Sequence, residues 1–553
     1  LDGRAVEEAQ WWIVRRRLGD ATAPDLADDA SVPDLADDAS VPDLADDAPA
    51  GSLDVRPVFL GPRGAPTRDF LQAAMGNEGP LEPDIVAIAS MASFQYVVDG
   101  RSLLSQVRRR PWLDAVAPPP NEGFATALAG YGRRLVGERA AASELLGRLR
   151  IELSNAFAGA RRVTVLLSGG LDSRLAGAVL VGLARRGVVT DDIRAVTWGI
   201  PESRDRHYGR MVADHLGIPW IPVDLGPSDL EANISIAARE LAGLVSPVHL
   251  HAIDSVGRLD WNDGDRILVS TLGNGVGRAR YLHRRVTYVR SIQPRDWLGL
   301  MAPGLFNRVR PRLIEELVAF RRGLRPNAAT AIHECEMLAH YFSGLFLPPF
   351  DVLRRIAAPV HQAMSDPRTF GFLWSLSPLV RTESMYRRAL RLCDPGLLDI
   401  PDALTGRPPR PLGRRAGSEL SPFVHRYPMW ITRDLSEVVD ELLSQSWFEE
   451  TGVFDGAAVR RTWERLRSDP TPQPQVAYLL IWLCSFRRFW EEVARSPGGT
   501  AGLTPPSLGG RLGATRRPPW GFAGRGRDPL WFRVASMPGH LAHALQCGLR
   551  AGP

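Results

Sequence analysis

Lysine is absent from this chain of 553 residues, and the Lys+Arg total of 67 is carried by arginine alone. With 45 prolines and 52 glycines alongside, that bias reads as a GC-rich coding background rather than as selection for nucleic acid. The formal net charge of +5 therefore assigns no nucleic-acid partner, and none is expected. Cysteine is nearly absent too. Cys335, Cys393, Cys484 and Cys547 are widely spaced, form no CxxC pair and all lie in the C-terminal half, so neither a disulfide framework nor a structural zinc site is expected. A reducing, cytoplasmic setting follows as the default. No apolar run reaches membrane-spanning length, since the best, Val476 to Cys484, is closed by Arg487 and Arg488, and no membrane partner is expected. The first residues lead from Leu1-Asp2-Gly3-Arg4 into charge rather than an apolar core, so no signal peptide is expected, while a start at Leu1 leaves the true N-terminus open.

What is present is 44% hydrophobic residues, enough for roughly two to four domains. Residues 1–52 contain a nine-residue unit, Pro-Asp-Leu-Ala-Asp-Asp-Ala-Ser-Val, starting at Pro24, Pro33 and, with its last two positions changed, Pro42. Three carboxylates per unit and little apolar surface leave the cost of ordering uncompensated, so this segment is expected to be disordered. Residues 53–142 read as a small remnant or truncated domain, with apolar runs at Val55 to Leu60 and Ile85 to Val97. From Ser143 a regular alternation sets in: helix to Phe157, strand Val163 to Leu167, helix Asp172 to Arg185, strand Ile193 to Trp198, helix Arg206 to Leu216, strand Trp220 to Leu225, helix Asp229 to Leu244 and strand Arg266 to Ser270. This implies an α/β fold, a parallel sheet flanked by helices. Helices follow over Pro311 to Arg325, Ala328 to Phe346 and Ser384 to Cys393, giving a domain over 143–411 and a helical extension with a Pro/Gly/Arg-rich tail over 412–553.

The chemistry concentrates where Val163-Thr164-Val165-Leu166-Leu167 runs into Ser168-Gly169-Gly170-Leu171-Asp172-Ser173. A buried strand, a glycine turn and a helix start form an anion site: glycines allow close backbone approach, first-turn N–H groups point outward, and the helix dipole favours negative charge. Ser168 and Ser173 add hydroxyls, and Asp172 adds the hard oxygen that magnesium shared with phosphate would need.

On these residues the chain resembles the PP-loop ATP pyrophosphatases (adenine nucleotide alpha hydrolase-like fold), and within them the asparagine-synthetase family. The likeness extends to Val196-Thr197-Trp198-Gly199 with Asp205, Tyr208 and His215-Leu216-Gly217. It continues through Arg355 to Pro359, Leu373 to Pro378, Tyr386 to Arg391, and Ile400-Pro401 with Thr405-Gly406-Arg407. The resemblance implies that Ser168, Gly169, Gly170, Asp172 and Ser173 hold the pyrophosphate of ATP with Mg2+, that Leu166 and Trp198 offer backbone groups near adenine, and that Ser270 and Gly273 complete the nucleotide site. It implies an ATP-dependent amide-forming ligase: a carboxylate, aspartate by default, is adenylated with loss of pyrophosphate, then amidated by ammonia or an amine. Its partners would be those small molecules, with a homodimer or a separate ammonia donor left open.

The chain departs from the family pattern twice. The second acidic site appears as Ser270-Thr271-Leu272-Gly273-Asn274-Gly275-Val276-Gly277, without a carboxylate, which puts the metal-binding position at Gly275 or, shifted by one, at Asn274. Arg387 stands nearest the family's catalytic lysine and is assigned a catalytic role with Asp172. The family's N-terminal glutaminase cysteine has no counterpart before Cys335, so glutamine hydrolysis is not expected. Two alternatives remain: a catalytically degenerate nucleotide-binding or regulatory protein, and a ring-closing synthetase of the β-lactam or peptide-cyclase type. An RNA-modifying PP-loop enzyme, suggested only by basic charge, lacks the paired cysteines it would use. Among other candidates, His249 and His251 alternate as on a strand and read as core or surface histidines. Arg108-Arg109-Arg110 reads as a solvated basic face, and Trp482, Phe486 and Phe489 as core at helical spacing.

Overall fold

The computed structural model describes residues 58–62, 66–67, 70–74, 81–98, 100–110, 131–279, 294–323, 334–409 and 419–495. The acidic repeats lie outside them, as does the tail after residue 495, whose Pro/Gly/Arg-rich composition predicts poor order apart from the stretch Trp520 to Leu549. At the N-terminal side, strand β1 (Val58–Leu60) pairs antiparallel with β2 (Pro66–Thr67) and β3 (Arg108–Arg110), and helix α1 (Ile85–Phe94) is capped by Asp84, whose carboxylate accepts from Ala87 N at 2.9 Å. The two apolar runs, read from the sequence as short strands or a helix–strand remnant, are thus strand at Val58–Leu60 and helix at Ile85–Phe94. Arg109 corrects the expectation of a solvated face: alternation along β3 turns it inward, it is buried, it donates to Val97 O at 3.3 Å, and burial brings its pKa down to about 10.

Helix α2 (Glu138–Phe157) leads into the main sheet, made of β4 (Arg162–Leu166), β5 (Ile193–Gly199), β6 (Trp220–Asp224), β7 (Asp265–Val269) and β8 (Val360–Gln362). All five strands are parallel in the order β6-β5-β4-β7-β8, with Val163 opposite Ile193 and Thr164 opposite Ile267. Order therefore reverses beside β4, the central strand, where the crevice at the strands' carboxyl ends opens in such folds. Strand β8 has only three residues, too short a run to register in the sequence pattern.

Alternation along the strands explains why both faces are covered. Val163, Val165, Ala195 and Leu268 enter one core with α2, α3 (Leu171–Ala184), α4 (Arg204–Leu216) and residues of the segment 370–390. Leu166, Val196, Ile267 and Val269 enter the other. That second core contains α1, α5 (Pro227–Glu240), α6 (Leu305–Gly323), α9 (Gly456–Ser468) and α10 (Pro474–Arg495); α7 (Pro367–Ser375) and α8 (Glu383–Cys393) lie on the first side. Each fully buried aliphatic side chain stabilises by roughly 1.5–3 kcal/mol relative to exposure. Trp482, Phe486 and Phe489 sit in this second core, and residues on both sides of position 412 build it. At Gly243, where φ is +65°, an added Cβ would lie 2.8 Å from Leu103 Cδ1 and 3.3 Å from Phe489 Cβ, so α10 and the N-terminal segment close directly onto the α/β part.

Three further expectations are corrected. Helix α6 begins at Leu305 after Gly304 (φ +74°) and runs through Pro311 instead of starting there. The segment Met337–Phe346 is a π-helix rather than an α-helix. His249 closes a 3₁₀ turn, Pro247–His249, set by the fixed φ of its proline, and His251 follows at φ 49°, so the two do not alternate on a strand.

Candidate functional site

The glycine turn leaves the carboxyl end of β4. Leu167 N still reaches Val196 O at 2.8 Å and Leu167 O accepts from Thr197 Oγ1 at 2.6 Å, so the chain stays in the ladder until Ser168. Gly169 is required by proximity: a Cβ there would lie 2.8 Å from Ala403 Cβ and 2.9 Å from Tyr208 Cβ. The turn is tied internally. Ser168 N donates to Ser173 Oγ at 3.0 Å, Ser173 Oγ donates to Ser168 O at 3.1 Å, and Gly170 N donates to Ser168 Oγ at 3.2 Å. Gly170 is the N-cap of α3 and provides no side-chain cap, so the helix presents its first turn at the sheet edge with Asp172 in it.

Two side chains, buried Arg174 and half-buried Asp205, hold this turn from behind. The Arg174 guanidinium donates to Gly169 O at 2.8 Å and to the carbonyls of Leu397, Ile400 and Pro401 at 2.7–2.9 Å, fastening the loop to the segment after α8. Burial brings its pKa down to about 10, with Asp402 opposing, which keeps it charged at neutral pH. Asp205, in the first turn of α4, accepts from Gly169 N at 3.1 Å. Burial pushes its carboxyl up to about 6 against that hydrogen bond, and nearby Asp402 adds to the rise.

The second glycine-rich run follows β7 as a π-helical turn, Gly273–Gly277, facing the first. A Cβ on Gly273 would lie 2.6 Å from Asp172 Oδ1 and 2.7 Å from the Tyr386 hydroxyl. A Cβ on Gly275 would overlap the Phe342 ring, and one on Gly277 the Tyr386 hydroxyl. The run is therefore glycine because Asp172, Phe342 and Tyr386 occupy the space side chains would need. Arg381 secures it from the far side, donating to Val276 O at 3.0 Å and to both oxygens of buried Glu334 at 2.8 and 2.5 Å. The turn ends in Arg278, whose Nη2 donates to Asp172 Oδ2 at 2.7 Å and to Asn274 Oδ1 at 3.3 Å. Its guanidinium lies 5.5 Å from the centre of the Tyr386 ring. Burial opposes the charge on Arg278, and the Asp172 carboxylate outweighs it, so the pKa is raised. Burial and the same carboxylate raise the Tyr386 phenol well above its ordinary value, and that hydroxyl donates to Met364 Sδ at 3.0 Å.

The structure thus brings Ser168, Gly169, Gly170, Asp172, Ser173, Gly273 and Asn274 together, with Leu166 buried at the end of β4 and Ser270 directly after β7. Trp198 lies near the end of β5, where its ring stacks at 6.3 Å on His251. His251 in turn meets the Tyr427 hydroxyl at 3.1 Å, and the His425 ring stacks on Tyr427 at 3.9 Å. The Arg387 guanidinium pairs with Glu383 at 2.5 Å, one turn back along α8, and the Glu383 carboxylate also acts on Arg278. Arg278, whose guanidinium bonds Asp172, is not legible in the sequence as a site residue, because it follows the altered run by one position and no part of the family pattern marks it. Arg174 lay in plain view beside Ser173, but its role depends on carbonyls more than two hundred residues away.

Magnesium was expected on Asp172 and Asn274. A hard divalent ion takes six oxygen ligands, usually including carboxylates and water. Here a single nitrogen of Arg278 bridges these two side chains, the Gly275 position has no room for a carboxylate, and among the described residues no group of three or more His, Cys, Asp or Glu side chains could hold a metal. The residues at this edge fit a guanidinium and not a carboxylate-ligated cation.

Comparison with known proteins adds one assignment. No curated protein matches the chain. Residues 148–246 match the family model described as asparagine synthase, a stretch running from within α2 through the Ser168 turn, β5, α4, β6 and α5, and stopping before β7 and the second glycine run. The α/β segment that carries the Ser168–Ser173 turn is therefore of the asparagine synthase family.

Proposed function

We propose that the chain is an ATP-dependent carbon–nitrogen ligase of asparagine-synthase type, acting on a small carboxylate and on ammonia or an amine. One carboxylate oxygen attacks the α-phosphorus of ATP, the bond from that phosphorus to the bridging oxygen breaks, and pyrophosphate leaves. The nitrogen then attacks the acyl carbon, AMP departs with the C–O bonding pair, and a proton is lost from nitrogen to give the amide. The chain's own contribution is positioning and charge: backbone N–H groups at the start of α3 and the Ser168 and Ser173 hydroxyls face the departing pyrophosphate. The observation that carries the reading is the Ser-Gly-Gly-Leu-Asp-Ser turn at the carboxyl end of the central parallel strand, inside the stretch that matches the asparagine synthase family.

Aspartate with ammonium is the default pair, and a ring-closing reaction within one substrate uses the same loop. Pyrophosphate release from ATP, magnesium and a panel of carboxylates including aspartate, with ammonium present, tests the reading. Release with one of them supports it, and none with any, from folded protein, overturns it. The Arg278–Asp172 ion pair favours a second reading, a nucleotide-binding protein without turnover. ATP binding with no turnover, unchanged in Asn274→Asp, distinguishes it.

A further inference from the structure

The Asp172 carboxylate, the one acid in the first turn of the loop helix, has its Oδ2 at 2.7 Å from a guanidinium nitrogen of its own chain. That nitrogen also reaches Asn274 Oδ1, so it stands between the two side chains from which a metal site would have to be built. Arg278 is only 7% exposed, and its Nε has no hydrogen-bond partner although it is sealed from solvent. A buried guanidinium with an unused donor is costly unless something accepts from it, and a planar fork of N–H groups matches phosphate oxygens two at a time. Across from it, Gly275 is closed to a carboxylate by Phe342, and Gly273 and Gly277 are closed by Asp172 and Tyr386.

We propose that Arg278 supplies the positive charge of this phosphate site, so that the loop binds inorganic pyrophosphate and the phosphate chain of ATP through an internal guanidinium without needing a divalent metal. Asp172 is then not a metal ligand but a counter-ion that holds Arg278 beside the loop, in competition with the incoming anion. This rests on the nucleotide-loop reading above and departs from it in the source of the charge.

Two substitutions give opposite expectations under the two accounts. Titration calorimetry of the full chain with inorganic pyrophosphate, in EDTA and again in magnesium chloride, is the measurement. Binding in EDTA should be within about threefold of that in magnesium, and Arg278→Gln should weaken it by about tenfold or more, the worth of one charge-assisted bidentate contact. Asp172→Asn keeps an oxygen for Arg278 while removing the competing charge, so it should leave metal-free binding unchanged or tighten it. If Asp172 is a metal ligand, the same variant abolishes binding. Should Arg278→Gln fail to fold, Asp172→Asn alone decides. Binding that requires magnesium, or that is lost in Asp172→Asn, overturns the inference and leaves the nucleotide-loop reading standing. No binding of pyrophosphate or ATP under either condition overturns both.

Discussion

Two glycine-rich turns leave the carboxyl ends of the adjacent strands β4 and β7, and they use glycine for opposite reasons. In Ser168–Ser173 the glycines let the backbone turn close to Ala403 and Tyr208 and leave the start of α3 open. In Gly273–Gly277 they make room for side chains that arrive from elsewhere, Phe342 and Tyr386, so the turn is packed shut and its polar side chain, Asn274, meets Arg278 just beyond it. The first turn lies in the stretch matching the asparagine synthase family and the second lies beyond it. Where the family pattern has acid, this chain has a packed turn followed by base. The most direct way to break the comparison is to restore the acid. Gly275→Asp drives a Cβ into the Phe342 ring and buries an unpaired carboxylate, which we expect to cost about 4–5 kcal/mol in urea denaturation. Adding Phe342→Ala should not rescue it, because the cavity relieves overlap without supplying a counter-ion. A Gly275→Asp protein as stable as the parent would mean that the turn is not packed as described.

The contrast also decides what could be read from sequence. The first turn was legible because its determinants are contiguous: five apolar residues, a glycine pair and a helix start, each following from backbone sterics and free N–H groups. The parallel sheet was legible for the same reason, through β7. What escaped depends on distant partners. Arg278 becomes a site residue only because β7 lies beside β4, and the pairing of Arg387 with Glu383 one helical turn away is likewise set by the fold of α8. Arg109 is inward because β3 pairs with β1, and β8 is a strand only because β7 offers it an edge. His249 and His251 had the right spacing for a strand, but Pro247 sets a turn there instead.

Arg174 sharpens the comparison from the side of the first turn. Its guanidinium satisfies four carbonyls, one of them in the loop, so Arg174→Leu leaves buried acceptors unpaired and frees Gly169 from the 397–401 segment. We expect a loss of about 3 kcal/mol by urea denaturation and weaker ATP binding in the same protein. If stability falls and ATP affinity does not, the loop does not depend on this clamp.

Acid and base behaviour near the two turns should separate as well. Asp205 has a folded pKa of about 6 against an ordinary 3.8, so it keeps its proton longer folded than unfolded. Its contribution is full below 3.8 and is lost as pH rises through 6. The half-buried histidines beyond β5 have the opposite sign: burial lowers His249 to about 3, His251 to about 4 and His425 to about 3, so their contribution is present above 6.5 and is lost as pH falls toward those values. Burial also raises the Asp402 and Asp366 carboxyls, but the downward shifts of the three histidines are larger than the rise at Asp205, so thermal stability should fall as pH drops from 6.5 to 4. Asp205→Asn, which keeps an acceptor for Gly169 N, should raise stability at pH 8 by about 1–3 kcal/mol and give no gain at pH 3.5. An equal gain at both pH values would place the cause in packing instead of charge.

The smallest effect on stability is expected where the two turns meet. Asn274→Asp sets a second carboxylate on the nitrogen that already binds Asp172, so Arg278 gains a charge-assisted bond while the two acids repel each other. These terms have opposite sign and similar size, and Asn274 is half-buried, so the net change should stay within about 1 kcal/mol. The change in binding should be larger than the change in folding. A guanidinium shared by two carboxylates is less available to an anion, so pyrophosphate binding in EDTA should weaken, while paired acids make magnesium a competitor for the place of Arg278. Magnesium should therefore improve pyrophosphate binding more in Asn274→Asp than in the parent chain. If the variant shows the parent's indifference to magnesium, position 274 does not face the phosphate site, and the opposition of the two turns reduces to the single pair of Asp172 and Arg278.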